Sequence, residues 1–271
     1  MKVEDLIVYG KKYIHSDFVT LLLSNLLDMN CLELLNHLED KVDNSICEVY
    51  YNQVEQVREK KPIQYVIGNV NFYGYNFIVN ENVLIPRFET EELVEKTISF
   101  IDSLFGRKVD IVDLGTGSGC IAITLKKEID CNVDAVDIST KALDVAKKNA
   151  DLNGVSINFY QNDMLDDFDK KYDVIVSNPP YLSYDETVMD IVKDNEPNIA
   201  LYADNDGLYF YEKILSSCRK NLNDKFLIAF EIGYLQASAI VELANKYFEN
   251  IVCKIDKDLQ GKDRFVFIYS K

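Results

Sequence analysis

The chain of 271 residues holds no CxxC pair, and its two histidines, His15 and His37, both fall within the first forty positions. Six scattered cysteines without pairing, far from a partner histidine, predict neither a zinc site nor a disulfide framework. No metal is expected. No run reaches 18 apolar residues and the opening Met-Lys-Val-Glu-Asp has no apolar core of its own, so neither a signal peptide nor a membrane span is expected. A reducing cytoplasm fits that reading. Basic residues are the scarcer charge, with 29 Lys and Arg against 45 Asp and Glu and a net charge of −16. The acid excess is spread along the chain instead of gathered in a tail, and no basic stripe tracks a phosphate backbone, which disfavours nucleic acid as a direct substrate. With 48% hydrophobic residues, the chain can bury a large core in one domain or two.

The hydrophobic pattern changes character along the sequence. Residues 1–60 read as helices: Ser16 to Met29 opens on Ser-Asp cap chemistry, Leu32, Leu35, Leu38 and Val42 recur at helical spacing, and a third helix runs from about Ser45 to Lys60. Pro62 ends it, since proline disfavours helical geometry in the residue before it. Val70 to Val79 alternates about Gly74 as a β-hairpin would. From about residue 88, strands alternate with helices, with strands expected at Asp110–Leu114, Asn132–Asp137, Asn158–Asn162, Tyr172–Ser177 and Phe226–Ile232. That order specifies a parallel sheet covered by helices. Two last strands, Asn250–Ile255 and Arg264–Tyr269, have only a short Gly261 link between them and must run antiparallel. The division is therefore 1–65 helical, 66–87 hairpin linker, and 88–271 an α/β domain of Rossmann-like type, mostly parallel with an antiparallel C-terminal hairpin.

The first strand of that domain runs through Asp113 into Gly115-Thr116-Gly117-Ser118-Gly119 and then a helix start. Glycines at spacing two let the backbone and the helix N-terminus approach a ligand closely. Residue 120 is Cys where a dinucleotide fingerprint has its third glycine, and a carboxylate at Asp113 suits an ammonium group better than a pyrophosphate. The charge logic favours an amino-acid-bearing nucleotide, S-adenosylmethionine, over NAD. Asp137 ends the second strand, where it can accept both ribose hydroxyls. Asp163 follows the third and can accept from an adenine amino group, with Met164 beside the ring. Each Asp alone is more often a helix cap or turn residue; three at successive strand ends, with a glycine loop after the first, exceed what turn chemistry needs.

Asn178-Pro179-Pro180-Tyr181 follows the strand Tyr172–Ser177. Two prolines fix the backbone, and the crevice at the carboxyl ends of open α/β strands is where ligands bind. The carboxamide oxygen of Asn178 and the Pro179 carbonyl can accept both hydrogens of one –NH2 group while Tyr181 stacks on its plane. Asn178 also borders the expected cofactor.

On these residues, together with Pro62-Ile-Gln-Tyr65, Leu84-Ile-Pro-Arg-Phe-Glu-Thr-Glu91 and Leu259-Gln-Gly-Lys-Asp-Arg264, the chain resembles the class I S-adenosylmethionine-dependent methyltransferases, and within them the glutamine methyltransferases of peptide chain release factors (HemK/PrmC type). Phe88 stands where that family usually has a second proline, and Ala203 to Leu208 replaces a more glycine-rich segment. The resemblance implies that the helical domain helps hold a release factor, and that the catalytic domain methylates a glutamine side-chain amide, releasing S-adenosylhomocysteine. Asn178, Pro179 and Tyr181 would carry the chemistry, with Pro180 completing the substrate clamp. Asp113, Gly115, Thr116, Gly117, Ser118, Gly119, Asp137, Asp163, Met164 and Asn178 would hold the cofactor. Arg87, Glu89 and Glu91 are open between a capped helix start near Thr90 and a substrate or closure role. Competing readings are an amino-methyltransferase acting on a ribosomal-protein glutamine or on a flipped nucleic-acid base, which takes the same clamp, and a non-catalytic S-adenosylmethionine-binding adaptor.

Overall fold

A computed structural model describes all residues from Met1 to Lys271. The chain divides into two compact units, one of residues 1–69 together with 189–195, the other of residues 70–188 and 196–271.

The smaller unit is built from α1 (Val3–Gly10), α2 (Ser16–Leu27), α3 (Cys31–Asn36), α4 (Asn44–Arg58) and α5 (Ile63–Ile67). Val3, Leu6, Val19, Leu22, Leu23, Leu34, Tyr50 and Val54 form its core. Tyr50 donates from its hydroxyl to the Leu6 carbonyl at 3.1 Å. A Cβ on Gly10 would stand 2.1 Å from that same hydroxyl, so the α1–α4 approach requires glycine there. Two expectations are corrected. The cap of α2 is His15, whose Nδ1 accepts from the Asp17 N–H, and not Ser16. The regular leucine spacing after residue 31 does not mark one long helix: α3 ends at Asn36, Leu34 is its buried residue, and Leu32 and Leu35 are exposed. The reason is local. Asn30 caps α3 with two backbone hydrogen bonds, and a turn closed between His37 and Asp40 ends the segment before Val42.

A hairpin of β1 (Asn69–Phe72) and β2 (Tyr75–Ile78) turns at Tyr73-Gly74, both at positive φ. The remainder alternates α6 (Phe88–Leu104), β3 (Val109–Leu114), α7 (Cys120–Glu128), β4 (Cys131–Asp137), α8 (Thr140–Asn153), β5 (Asn158–Gln161) and β6 (Tyr172–Ser177). After the one-turn α9 (Asp190–Lys193), which belongs to the smaller unit, come α10 (Tyr209–Ser217), β7 (Leu222–Glu231), α11 (Ala237–Tyr247), β8 (Ile251–Lys257) and β9 (Asp263–Ser270). The hairpin is fastened to α8, where the Asn149 side chain accepts from the Ile78 N–H at 2.6 Å and donates to the Ile78 carbonyl at 3.0 Å.

The seven strands lie in the order β5-β4-β3-β6-β7-β9-β8, parallel except for β9, which runs antiparallel to both neighbours. The Rossmann-like sheet with its antiparallel end is borne out, with the strands displaced only at their ends. Alternate residues feed two cores: Val112, Leu114, Ile175 and Ile228 pack with residues of α10 and α11, while Ile111, Val174, Leu227 and Phe267 pack with α6, α7 and the hairpin. Strand order reverses between β3 and β6, which pair at Leu114 and Ser177. Ser177 seals that join by donating its hydroxyl to the Leu114 carbonyl at 2.6 Å. A doubly wound sheet opens a crevice at such a reversal.

Candidate active site

Both sequence motifs leave the sheet at this reversal, the glycine loop from β3 and Asn178 from β6. Gly115, Gly117 and Gly119 have φ of 73°, 55° and 81°, values at which a side chain is strained. Gly119 is also crowded, since a Cβ there would meet Ile123 Cδ1 at 3.0 Å and Ala146 Cβ at 3.2 Å. The loop does not present a row of free donors, as its glycines suggested. The N–H groups of Gly115 and Thr116 both donate to the Val136 carbonyl, and that of Gly119 to the Thr116 carbonyl. The Gly117 N–H donates to Asp137 Oδ2 at 2.8 Å. What the loop offers a ligand is open space over Gly115 and Gly117, where a Cβ would meet nothing within 4 Å.

Asp113 lies beneath this loop, fully buried, with Thr116 donating to its Oδ2 at 2.6 Å. Its Oδ1 has no partner. Burial pushes its carboxyl up to about 7 against the opposing pull of the Thr116 hydroxyl. Asp137 accepts from the Gly117 and Ser139 N–H groups, and burial raises it as well. Asp163 is paired at 2.6 Å with the ammonium of Lys213, which Asp166 shares at 3.0 Å, so one positive charge faces two carboxylates. Met164, at φ 54°, is held by Asn162, which donates to its carbonyl at 3.3 Å.

One cavity gathers Gly115, Thr116, Gly117, Ser118, Asp137, Asp163, Met164, Asn178 and Pro180. Asp113, Gly119, Pro179 and Tyr181 do not line it. Pro179 is buried, and Tyr181 packs against the core, with its hydroxyl pushed above the ordinary phenol value by burial. The cavity also takes walls from Asn82 to Leu84, Pro86, Thr90, Pro197, Ile199-Ala200 and Tyr209-Phe210.

Across the cavity, β7 ends at Glu231, beside Asn178 because Phe230 pairs with Ser177. Glu231 is buried and does not line the cavity. Thr90 on α6 donates its hydroxyl to Glu231 Oε2 at 2.7 Å, and Asn178 Nδ2 donates to that hydroxyl oxygen at 3.1 Å. Burial pushes Glu231 up to about 7, opposed by the Thr90 bond, by the Arg264 charge and by a hydrogen bond from the Asn178 side chain.

The family description "Methyltransferase small domain" matches residues 90–195, and "PrmC N-terminal domain" matches residues 17–68. A release factor glutamine methyltransferase of Bacillus subtilis (strain 168) is 42% identical over 242 residues, covering 86% of this chain and 84% of that one. This chain belongs to the release factor glutamine methyltransferase family. The namesake of Flavobacterium psychrophilum is 41% identical over 269 residues, covering 96% of this chain and 93% of its own. Among solved structures, a methyltransferase from Pyrococcus furiosus superposes with a TM-score of 0.55 at 17% identity, covering 80% of this chain and 97% of that chain. The Thermus thermophilus 16S rRNA N2 G1207 methyltransferase superposes with 0.54 at 15% identity, covering 75% and 50%. Both similarities concern the fold alone.

The residues around the start of α6, open between a capped helix start and a substrate or closure role, have partners across the fold. Thr90 is not the cap of α6, which starts at Phe88 after an Arg87 that makes no side-chain cap; its hydroxyl turns inward to Glu231 instead. Arg87 pairs with the buried Glu196, whose other oxygen accepts from the Ile85 N–H at 3.2 Å. Glu91 accepts from the Tyr73 N–H at 3.0 Å, tying α6 to the hairpin. The only trace of these partnerships in the sequence is acids and hydroxyls at element ends, too common a pattern to pick them out.

Proposed function

We propose that this protein transfers a methyl group from S-adenosylmethionine to the side-chain amide nitrogen of a glutamine in a peptide chain release factor. The observation that carries the reading is that the β3 glycine loop and Asn178 face one cavity at the sheet's reversal point. The residues there fit the cofactor. Asp113 has a buried oxygen without a partner beneath the loop that carries Thr116 and Ser118 into the cavity; it does not itself line the cavity and would answer the ammonium from behind that loop. Asp137, held by two backbone N–H groups, keeps lone pairs for ribose hydroxyls, and Asp163 with Met164 would meet the adenine. When bound, the cofactor supplies an electrophilic methyl on sulfur and leaves as S-adenosylhomocysteine.

An amide nitrogen is a poor nucleophile because its lone pair is delocalised into the carbonyl, so the protein's task is to position it. The Asn178 carbonyl oxygen, at the cavity wall, and the carbonyl of the buried Pro179 next to it would accept the two amide hydrogens and stabilise positive charge as it grows on nitrogen. Pro180 lines the cavity beside Asn178, and Tyr181 would pack on the amide plane only by turning out from the core against which it lies. No strong base is required, since an N-methylated, N-protonated amide is acidic enough to lose its proton to solvent. That agrees with a chain holding no histidine after His37. Residues 1–65 would help hold the release factor, residues 66–87 would join the parts, and residues 88–271 would carry out catalysis.

Incubation with methyl-labelled S-adenosylmethionine and, separately, release factors, ribosomal proteins and nucleic acids tests this. Label on a release-factor glutamine, located by mass spectrometry, is the expected result. Label on a nucleic-acid base, or on no substrate, overturns it.

A further inference from the structure

A carboxamide has two ends of nearly equal size, and nothing in the shape of a pocket decides which one faces a substrate. Hydrogen-bond partners decide it. The proposed methyl transfer, on which this inference rests, needs Asn178 to present oxygen, because its NH2 would confront the substrate's own NH2 donor to donor. We infer that Thr90 and Glu231 are positioning residues that fix the sense of the Asn178 carboxamide. An ionised carboxylate only accepts. Glu231 Oε2 therefore takes the single proton of the Thr90 hydroxyl, at 2.7 Å. The hydroxyl oxygen is left with lone pairs only, and the group it can receive at 3.1 Å is the Asn178 NH2, which also hydrogen-bonds the Glu231 carboxylate directly, so both acceptors call for the same end of the carboxamide. The carbonyl oxygen of Asn178 is then the end released to the substrate.

The relay is anchored from several elements. Glu231 pairs with Phe265 across β7 and β9, and its own carbonyl accepts from the Tyr211 hydroxyl on α10 at 2.8 Å. Arg264 on β9 favours its charged form, while Glu89 on α6 opposes it, and Cys120, Tyr181 and Tyr211 also face its field. Arg264 is itself held by Asp258 and by the Ile232 carbonyl at 3.2 and 3.0 Å. Since burial brings Glu231 to about 7, the relay loses its polarity in mild acid: a protonated Glu231 can donate to Thr90, which frees the Thr90 proton to call for the other end of the carboxamide.

The test uses the full-length protein with a release factor as methyl acceptor. Thr90→Val keeps the shape and removes the relay. It should lower kcat by about 10- to 100-fold, on the scale of one preorganised polar group, while leaving the KM for S-adenosylmethionine unchanged. Thr90→Ser, which keeps the hydroxyl, should restore most of that rate. Combined with Asn178→Ala, Thr90→Val should cost little more than Asn178→Ala alone, because residues acting as one unit are not additive. In the unsubstituted protein at saturating cofactor, kcat should rise with pH through about 7, and Glu231→Gln should flatten that rise. A Thr90→Val protein with undiminished kcat, a loss fully additive with Asn178→Ala, or a Thr90→Ser protein as slow as the valine variant overturns the relay. Should the valine variant not fold, the serine variant and the pH profile of Glu231→Gln still decide: an unchanged pH profile in Glu231→Gln sinks the idea. If the unsubstituted protein methylates no glutamine, the functional reading itself fails, and that outcome is separate from a relay that fails in an active enzyme.

Discussion

The ends of β3 and β7 carry the same device. At each, a fully buried carboxylate closes a strand, receives one threonine hydroxyl, and is pushed by burial to about 7: Asp113 with Thr116 at 2.6 Å, and Glu231 with Thr90 at 2.7 Å. They differ in reach. Asp113 and its threonine are three residues apart within one turn, whereas Glu231 and Thr90 are separated by 141 residues and meet only because α6 packs on β7. They differ also in what they hold. The first stiffens a loop that faces the proposed cofactor, and the second sets a side chain that faces the proposed substrate. A local pair can shape a binding surface, but orienting a group across the cavity takes a partner from another layer of the fold.

If the two ends serve cofactor and substrate separately, variants should separate binding from turnover. The largest effect is expected for Asn178→Ala, the group that the β7 end orients. Turnover on a release-factor glutamine should fall by on the order of 10²–10³-fold with cofactor binding largely kept. Wild-type turnover by that variant, measured by label transfer, would reduce Asn178 to a structural turn. Asp137→Ala, at the cofactor side, should do the reverse, weakening cofactor affinity in a titration. Because Asp137 also holds the Gly117 and Ser139 N–H groups, some loss of loop order should accompany it.

Stability against pH probes both carboxylates at once. Each has a folded-state value near 7, above its unfolded value of about 4, so each favours the folded chain while protonated. The stability they contribute is fully present below about pH 4 and is lost as pH rises through about 7, on the order of 3 kcal/mol for each group. Urea unfolding of the ligand-free protein at pH 5 and pH 8 should show a smaller drop in Asp113→Asn and in Glu231→Gln than in the unsubstituted protein. An equal drop in all three would mean that neither group is buried uncharged.

Two smaller effects sharpen the cofactor side. S-adenosylmethionine at 100 times its dissociation constant should stabilise the fold by roughly 2.7 kcal/mol, and NAD should not. A thermal shift with NAD alone contradicts the charge argument made from Asp113. Gly119→Ala should destabilise by about 1–2 kcal/mol, from its left-handed φ and the contacts at 3.0 and 3.2 Å, whereas Gly115→Ala should incur only the backbone term. Equal thermal melts for the two variants would show that the crowding at Gly119 relaxes.

The same contrast explains what could be read from the sequence. The β3 loop, the strand Tyr172–Ser177 and the Asn178 turn are contiguous, and their chemistry is written in neighbouring residues. The antiparallel end of the sheet followed from a link too short to hold a helix. Thr90 was not legible: it sits where a cap is expected, and its partners lie 88 and 141 residues away. Asn149, which donates to the Ser118 carbonyl at 2.8 Å as well as binding the hairpin, hid as one polar residue in a helix. The leucines after residue 31 misled for the opposite reason. Their spacing suited a helix, but Asn30 and the His37–Asp40 turn set its length, leaving Leu32 and Leu35 outside.

The smaller compact unit is discontinuous in sequence, since it takes in residues 189–195 long after residue 69, and Asn195 donates to the Lys60 carbonyl at 3.2 Å. During synthesis, that contact cannot form until β3 to β6 have been made. At about 5–20 residues per second, the first helices emerge on the order of ten seconds before the segment that completes their unit. The amino-terminal helices must therefore stay competent for assembly while the central strands are still emerging, so the two units are bound together in the timing of their birth as well as in the covalent chain.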